Sequence, residues 1–277
     1  MPKNLSSSGQ TGPLSVGNVV SASVRIYRDN FKLYFGLAWV ASLWLLVPIY
    51  GWAKYSAISA LISRLAFGEV REKPETVSDA RREVNPRMWS FFGAGILTFL
   101  IYIGVYVAGT IAIAILARGA TAIFGQNYVI ITALVVVFML VPIAFLIISI
   151  RIFSRLLIVE LALAIENNIG ATSAIGRSWE LTKASVGRIQ WIVFVGILVS
   201  LPITLVVQIL TLIVQSVLTA VLDAKSPIFF LVYYLLILPF SFGSGALITP
   251  FWQAIKAIIY YDLRSRKEGL GLQIRDR

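Results

Sequence analysis

The sequence predicts an all-α integral membrane protein with six transmembrane helices, arranged as three repeats of an amphipathic surface helix followed by a helical hairpin. Two observations carry this expectation. Four apolar stretches, Ser90–Leu116, Val129–Ile150, Ile189–Leu222 and Ile228–Ile255, are each long enough to cross ~30 Å of hydrocarbon, which takes about 20 helical residues. Basic residues, in turn, gather on one side of those stretches and not the other.

Taken in chain order, residues 1–13 are rich in Ser, Gly and Pro and read as a disordered tail. Ser15–Phe31 mixes Val16, Val19, Val20 and Val24 at helical spacing with Arg25 and Arg28, the pattern of a helix lying in the membrane interface. Leu33–Phe67 would be ~50 Å long as one helix, more than one crossing needs. Pro48, Gly51, Trp52 and Lys54 interrupt it, so it reads as a short hairpin, Leu33–Ile49 out and Ala53–Phe67 back. Small residues Ala53, Ser56, Ala57, Ala60 and Ser63 line one side of the returning arm, as close helix packing requires. Val77–Arg87 and Ala171–Gly187 are the second and third surface helices. The single six-helix domain covers 14–268, and 269–277 forms a C-terminal tail.

Charge supports this order. With six crossings, segments 1–32, 64–88, 151–188 and 256–277 share one side and hold 21 of the 24 Lys and Arg residues; Lys54, Arg118 and Lys225 alone lie opposite. Five crossings would erase that asymmetry. By the positive-inside rule both termini are expected in the cytoplasm.

Composition narrows the function. The chain is 58% hydrophobic and 13% charged, against ~25% charged in soluble domains. The net charge of +11 does not read as nucleic-acid binding, because the cations cluster at the ends of apolar segments, where lipid headgroups lie. There is no cysteine and no histidine, which removes disulfides and the commonest metal ligand and general base. No catalytic constellation and no cofactor motif is present, so the chain reads as a non-enzyme.

Weak internal matches support the repeat. A shift of 155 residues lays Ser23–Arg28 over Ser178–Lys183, and a shift of 55 lays Asn30–Leu33 over Asn85–Met88. Three stretches carry a resemblance: Leu14-Ser-Val-Gly-Asn-Val-Val with Arg25-Ile-Tyr-Arg-Asp-Asn-Phe31; Glu160 with Ala174-Ile-Gly-Arg-Ser-Trp-Glu-Leu-Thr-Lys183; and Ile259-Tyr-Tyr-Asp-Leu-Arg-Ser-Arg-Lys-Glu-Gly269. From Leu14 to Gly269 the chain resembles the bacterial glycerophosphoryl diester phosphodiesterase membrane domain family and its six-helix relatives. The resemblance implies the fold and a bacterial cytoplasmic membrane. It does not imply the phosphodiesterase activity, because the soluble catalytic domain of that family is missing from this sequence.

Three groups of residues stand out. Glu160, set among Val159, Leu161 and Leu163, needs a partner, since a lone carboxylate in apolar surroundings is costly; Arg177 is the first expectation and Arg264 the second. With Arg155, Trp179, Lys183 and Asp262 these residues form an expected hub, either structural or a site for an anionic headgroup. Pro239, Gly243, Gly245 and Pro250 sit inside one span and mark a possible helix break. Ser200, Thr204, Gln208, Thr211 and Gln215 share one helical face. The expected role is a scaffold or accessory subunit whose basic cytoplasmic face binds lipid headgroups or a membrane protein partner. A transporter or channel for a small or lipidic substrate is the alternative.

Overall fold

The computed structural model describes residues 14–124 and 143–269. The tail expected over 1–13, the far part of the Val129–Ile150 span and the C-terminal tail beyond 269 lie outside the described residues. Among those described there are helices and turns but no strand.

The order is α1 (Val16–Asp29), α2 (Phe31–Trp44), α3 (Tyr50–Val70), α4 (Val77–Val84), a 3-10 turn (Asn85–Arg87), α5 (Met88–Phe124), α6 (described over 143–156), α7 (Val159–Ile165), α8 (Ala171–Thr182), α9 (Val186–Val221) and α10 (Pro227–Glu268). Short α4 precedes the 37-residue α5 and short α8 precedes the 36-residue α9 and 42-residue α10, whereas at the start of the chain α1 and α2 have 14 residues each and α3 has 21. Starts and stops follow local chemistry. Ser15, Thr76 and Ser226 cap α1, α4 and α10 by accepting from the backbone N–H three residues on, and Gly269 ends α10 in the left-handed region (φ 65°).

Among the described residues, three helical stretches are long and apolar enough to cross a membrane: Val77–Leu116, Val186–Val221 and Pro227–Glu268. The N-terminal hairpin has the expected break. Its first arm, α2, has 14 residues, which is about 21 Å and less than a full crossing. At the tip, Ile49 takes φ 61° and the chain folds back so tightly that a Cβ on Gly51 would lie 1.8 Å from the Trp44 carbonyl oxygen. Only glycine fits there.

The core sits at one end. α3 and α10 pack along each other, with α2 and α9 beside α10, and α5 and α7 beside α3. Ala53, Ala57, Ala60 and Ala66 of α3 and Ala254 and Ala257 of α10 are buried; small side chains let these backbones approach, which is where dispersion is gained when lipid is the solvent. On α9, a Cβ at Gly196 would lie 3.1 Å from both Ile255 and the Trp252 ring. Burial stops partway up: α9 has no buried residue beyond Ser200, and α5 none beyond Ala94 among its described side chains. Their apolar far ends are exposed, as surfaces meant for hydrocarbon are.

Candidate functional site

The packed ends of the helices meet in a polar layer, and its centre is Glu166. This residue ends α7 with an extended backbone. Its carboxylate accepts from Arg177 Nε (2.8 Å and 3.1 Å) and from the Tyr260 hydroxyl (2.7 Å). Arg177 also pairs with Glu268, which is held by Arg264 Nε one turn back on α10 (2.8 Å). The Glu166 carbonyl accepts from Arg87 (3.0 Å), whose second arm bonds the Ile169 carbonyl (2.9 Å). One loop residue therefore joins the start of α5, α7, α8 and the end of α10. Burial works against the charge on Arg177, but the two carboxylates outweigh it and push its pKa above the ordinary arginine value.

Glu160 is not part of that cluster. Its partner is Lys256 (Nζ–Oε2 2.8 Å), with Gln253 Nε2 on the same oxygen (3.3 Å) and Ser63 donating in turn to Gln253. The expected pairing with Arg177 or Arg264 is therefore corrected. Glu160 lies in the first turn of α7 and Glu166 just past its end, about 9 Å further along the axis; the arginines meet the residue at the far end. The other oxygen of Glu160, Oε1, is buried without a partner, as is the Ser59 hydroxyl, one turn from Ser63 on α3.

Asp262 faces a third group. It pairs with Arg188 at the start of α9 and accepts from the Leu14 backbone N–H (3.1 Å), while Arg188 donates to the Leu14 carbonyl (3.1 Å). Arg155 lies over the Trp179 ring (4.5 Å to the centroid) and donates to the Trp179 carbonyl (2.8 Å). Trp179 is 45% exposed. Lys183 is exposed beyond α8. The structure thus divides the expected hub into four groups, Arg177 with Arg264, Glu160, Asp262, and Arg155 with Trp179, and leaves Lys183 apart from all of them.

The possible helix break at Pro239, Gly243, Gly245 and Pro250 does not end the helix. α10 runs unbroken through Pro239 and Pro250. Each proline costs one intrahelical bond, and Gly243 and Gly245 serve packing: their Cβ positions lie 3.6 Å from Trp39 and 3.7 Å from Ser42 on α2. Along α9, the Ser200, Thr204 and Thr211 hydroxyls bond carbonyls four residues back in their own helix, and Gln208 and Gln215 are exposed.

Glu166, Lys256, Gln253, Tyr260, Arg188 and Glu268 were not anticipated. Gln253, Lys256 and Tyr260 do carry a signal, since spacings of three and four place them on one face of an otherwise apolar span. Glu166 carries none: followed by Asn167 and Asn168, it reads as an ordinary loop acid.

The cations at this end fall into two populations. Arg64, Arg177, Arg188, Lys256 and Arg264 are paired with carboxylates. Arg25, Lys32, Lys73, Arg81, Arg82, Arg151 and Lys183 are exposed, and none pairs with a carboxylate among the described residues. Comparison of the chain with family models, curated proteins and solved structures finds no match.

Proposed function

We propose that this is a non-enzymatic membrane protein, a scaffold or accessory subunit whose basic end holds anionic lipid headgroups at the cytoplasmic face. The observation behind this reading is the set of seven exposed cations without carboxylate partners. Each cation near an anionic leaflet is worth ~1 kcal/mol, so seven make a strong lipid-retaining surface even when salt screens part of it. The exposed Trp179, stacked under Arg155, has the amphipathic ring favoured at headgroup depth. The paired cations act differently, locking α8 and α10 into a platform that presents the free ones.

The rest of the reading follows. The short helices α4 and α8, each followed by a long apolar helix, support repeated units and six crossings, with α1 and the α2–α3 hairpin as a thin first unit. The family resemblance in the motifs around Trp179 and Asp262 supports a bacterial cytoplasmic membrane.

The test is lipid analysis of protein purified from native membranes in mild detergent. Anionic lipid should be enriched over the bulk membrane. A variant with Arg25, Arg81, Arg151 and Lys183 all changed to Gln should lose most of that enrichment while keeping its melting temperature. Identical lipid profiles for the protein and the bulk membrane would sink the proposal.

A further inference from the structure

We propose that the groove between the α4–α5 turn and the α7–α8 loop seats one phosphodiester headgroup that carries a hydroxyl or amine donor. This rests on the lipid-facing reading of the basic end and adds a specific site to it. The groove measures about 410 Å³ and is lined by Arg82, Glu83 and Arg87 on one side and Asn167 and Asn168 on the other. That size suits a small ligand.

Its chemistry is assembled from groups already held in place. Arg87 is fixed by the carbonyls of Glu166 and Ile169. Those bonds orient the guanidinium, and it makes no ion pair with a carboxylate among the described residues. Arg82 is exposed beside it and also has no carboxylate partner among them. Two guanidiniums on one groove are a phosphate-binding arrangement. Across from them, Asn168 is held at φ 61°, a conformation that costs free energy and that asparagine tolerates better than most residues. The Asn167 and Asn168 amides have no side-chain hydrogen bond within the described chain, so both are available to a ligand.

Glu83 decides what kind of phosphate. A bare phosphate ion in this groove meets a carboxylate. A headgroup whose phosphate faces the arginines can turn a hydroxyl or ammonium toward Glu83 and convert that repulsion into a charge-assisted hydrogen bond. Depth agrees. Trp89, two residues beyond Arg87, is 54% exposed at the start of the apolar run of α5, the position of an interfacial aromatic. The groove therefore opens at headgroup level.

The experiment uses the full chain in a maltoside detergent and calorimetric titration with three probes: dihexanoyl phosphatidylglycerol, dihexanoyl phosphatidylcholine and inorganic phosphate. The glycerol headgroup should bind saturably, at least about tenfold tighter than the choline headgroup, which has no donor, and than free phosphate. Arg82→Gln, an exposed position, should weaken that binding roughly tenfold. Asn168→Gly suits the positive φ, so it removes the amide without disturbing the fold, and should also weaken binding. Lys225→Gln, at an exposed cation between α9 and α10, should leave it unchanged.

Absence of saturable binding, or binding indifferent to Arg82→Gln and Asn168→Gly, overturns the seat. Free phosphate binding as tightly as the lipid overturns the headgroup assignment. The two readings separate cleanly: loss of native lipid enrichment with groove binding intact sinks only the general surface, and enrichment without groove binding sinks only the seat.

Discussion

Glu160 shows how much of a site a sequence can state. Its apolar neighbours announced that it needed a partner, and it has one. They could not say which, because partner choice depends on where the short helix α7 points. Lys256 lies 96 positions away and meets it only after α10 has packed. Both side chains are about one-fifth exposed, so the full cost of stranding a buried charge does not apply. Glu160→Ala should lower stability by about 1–3 kcal/mol. Lys256→Met in the same chain should recover part of the loss, and neutral replacement of Arg177 or Arg264 should not; detergent thermal unfolding of the four variants reads the coupling. Glu166→Ala should cost more, because it releases Arg177 and Tyr260 together, while Arg87 keeps its hold on the Glu166 and Ile169 carbonyls. Gly51 is the steric counterpart. A methyl group there meets a backbone carbonyl, which cannot move aside like a side chain, so Gly51→Ala should cost about 1–3 kcal/mol or more and lower folded yield in size-exclusion chromatography.

At the level of elements, hydrophobic length and punctuation were readable. Pro48 and Gly51 marked the hairpin between α2 and α3, while the caps at Ser15 and Ser226, a chemistry that acts within four residues, went unread. Pro239 and Pro250 left a break only possible because proline reports no more than a missing donor. Whether the helix ends depends on what packs around it, and α10, with α2 and α9 packed along it, continues through both prolines. The glycines carry the packing signal instead. Gly196→Val would drive a branched side chain against Ile255 and Trp252, parting α9 from α10 at about 1–3 kcal/mol, whereas Pro239→Ala, restoring a backbone donor, should leave the melting temperature equal or higher. Equal destabilisation by the two would mean that α10 is not continuous.

For the whole molecule, the charge asymmetry legible in the sequence becomes a topology test. The chain has no cysteine, so single cysteines report cleanly. In intact cells an impermeant thiol reagent should label Ala224→Cys and spare Ser78→Cys and Ser173→Cys; labelling at Ser78 from outside would refute the orientation. What the sequence could not reveal is the uneven packing, because lipid-facing and core-facing spans are equally apolar where the solvent is hydrocarbon. The clamp of Asp262 and Arg188 on the Leu14 backbone has a further consequence, for whatever is attached to the protein. Leu14 is where α1's preceding segment leaves, and Gly269, seven residues past Asp262, ends α10 roughly 10 Å farther along the helix. A group joined just before Leu14 and another joined just after Gly269 are therefore tethered within a short reach of each other, and meet at about millimolar effective concentration however dilute the protein is in the membrane. Two fluorescent domains fused to the termini should transfer energy efficiently within one molecule, and Asp262→Ala, by releasing Leu14, should reduce that transfer.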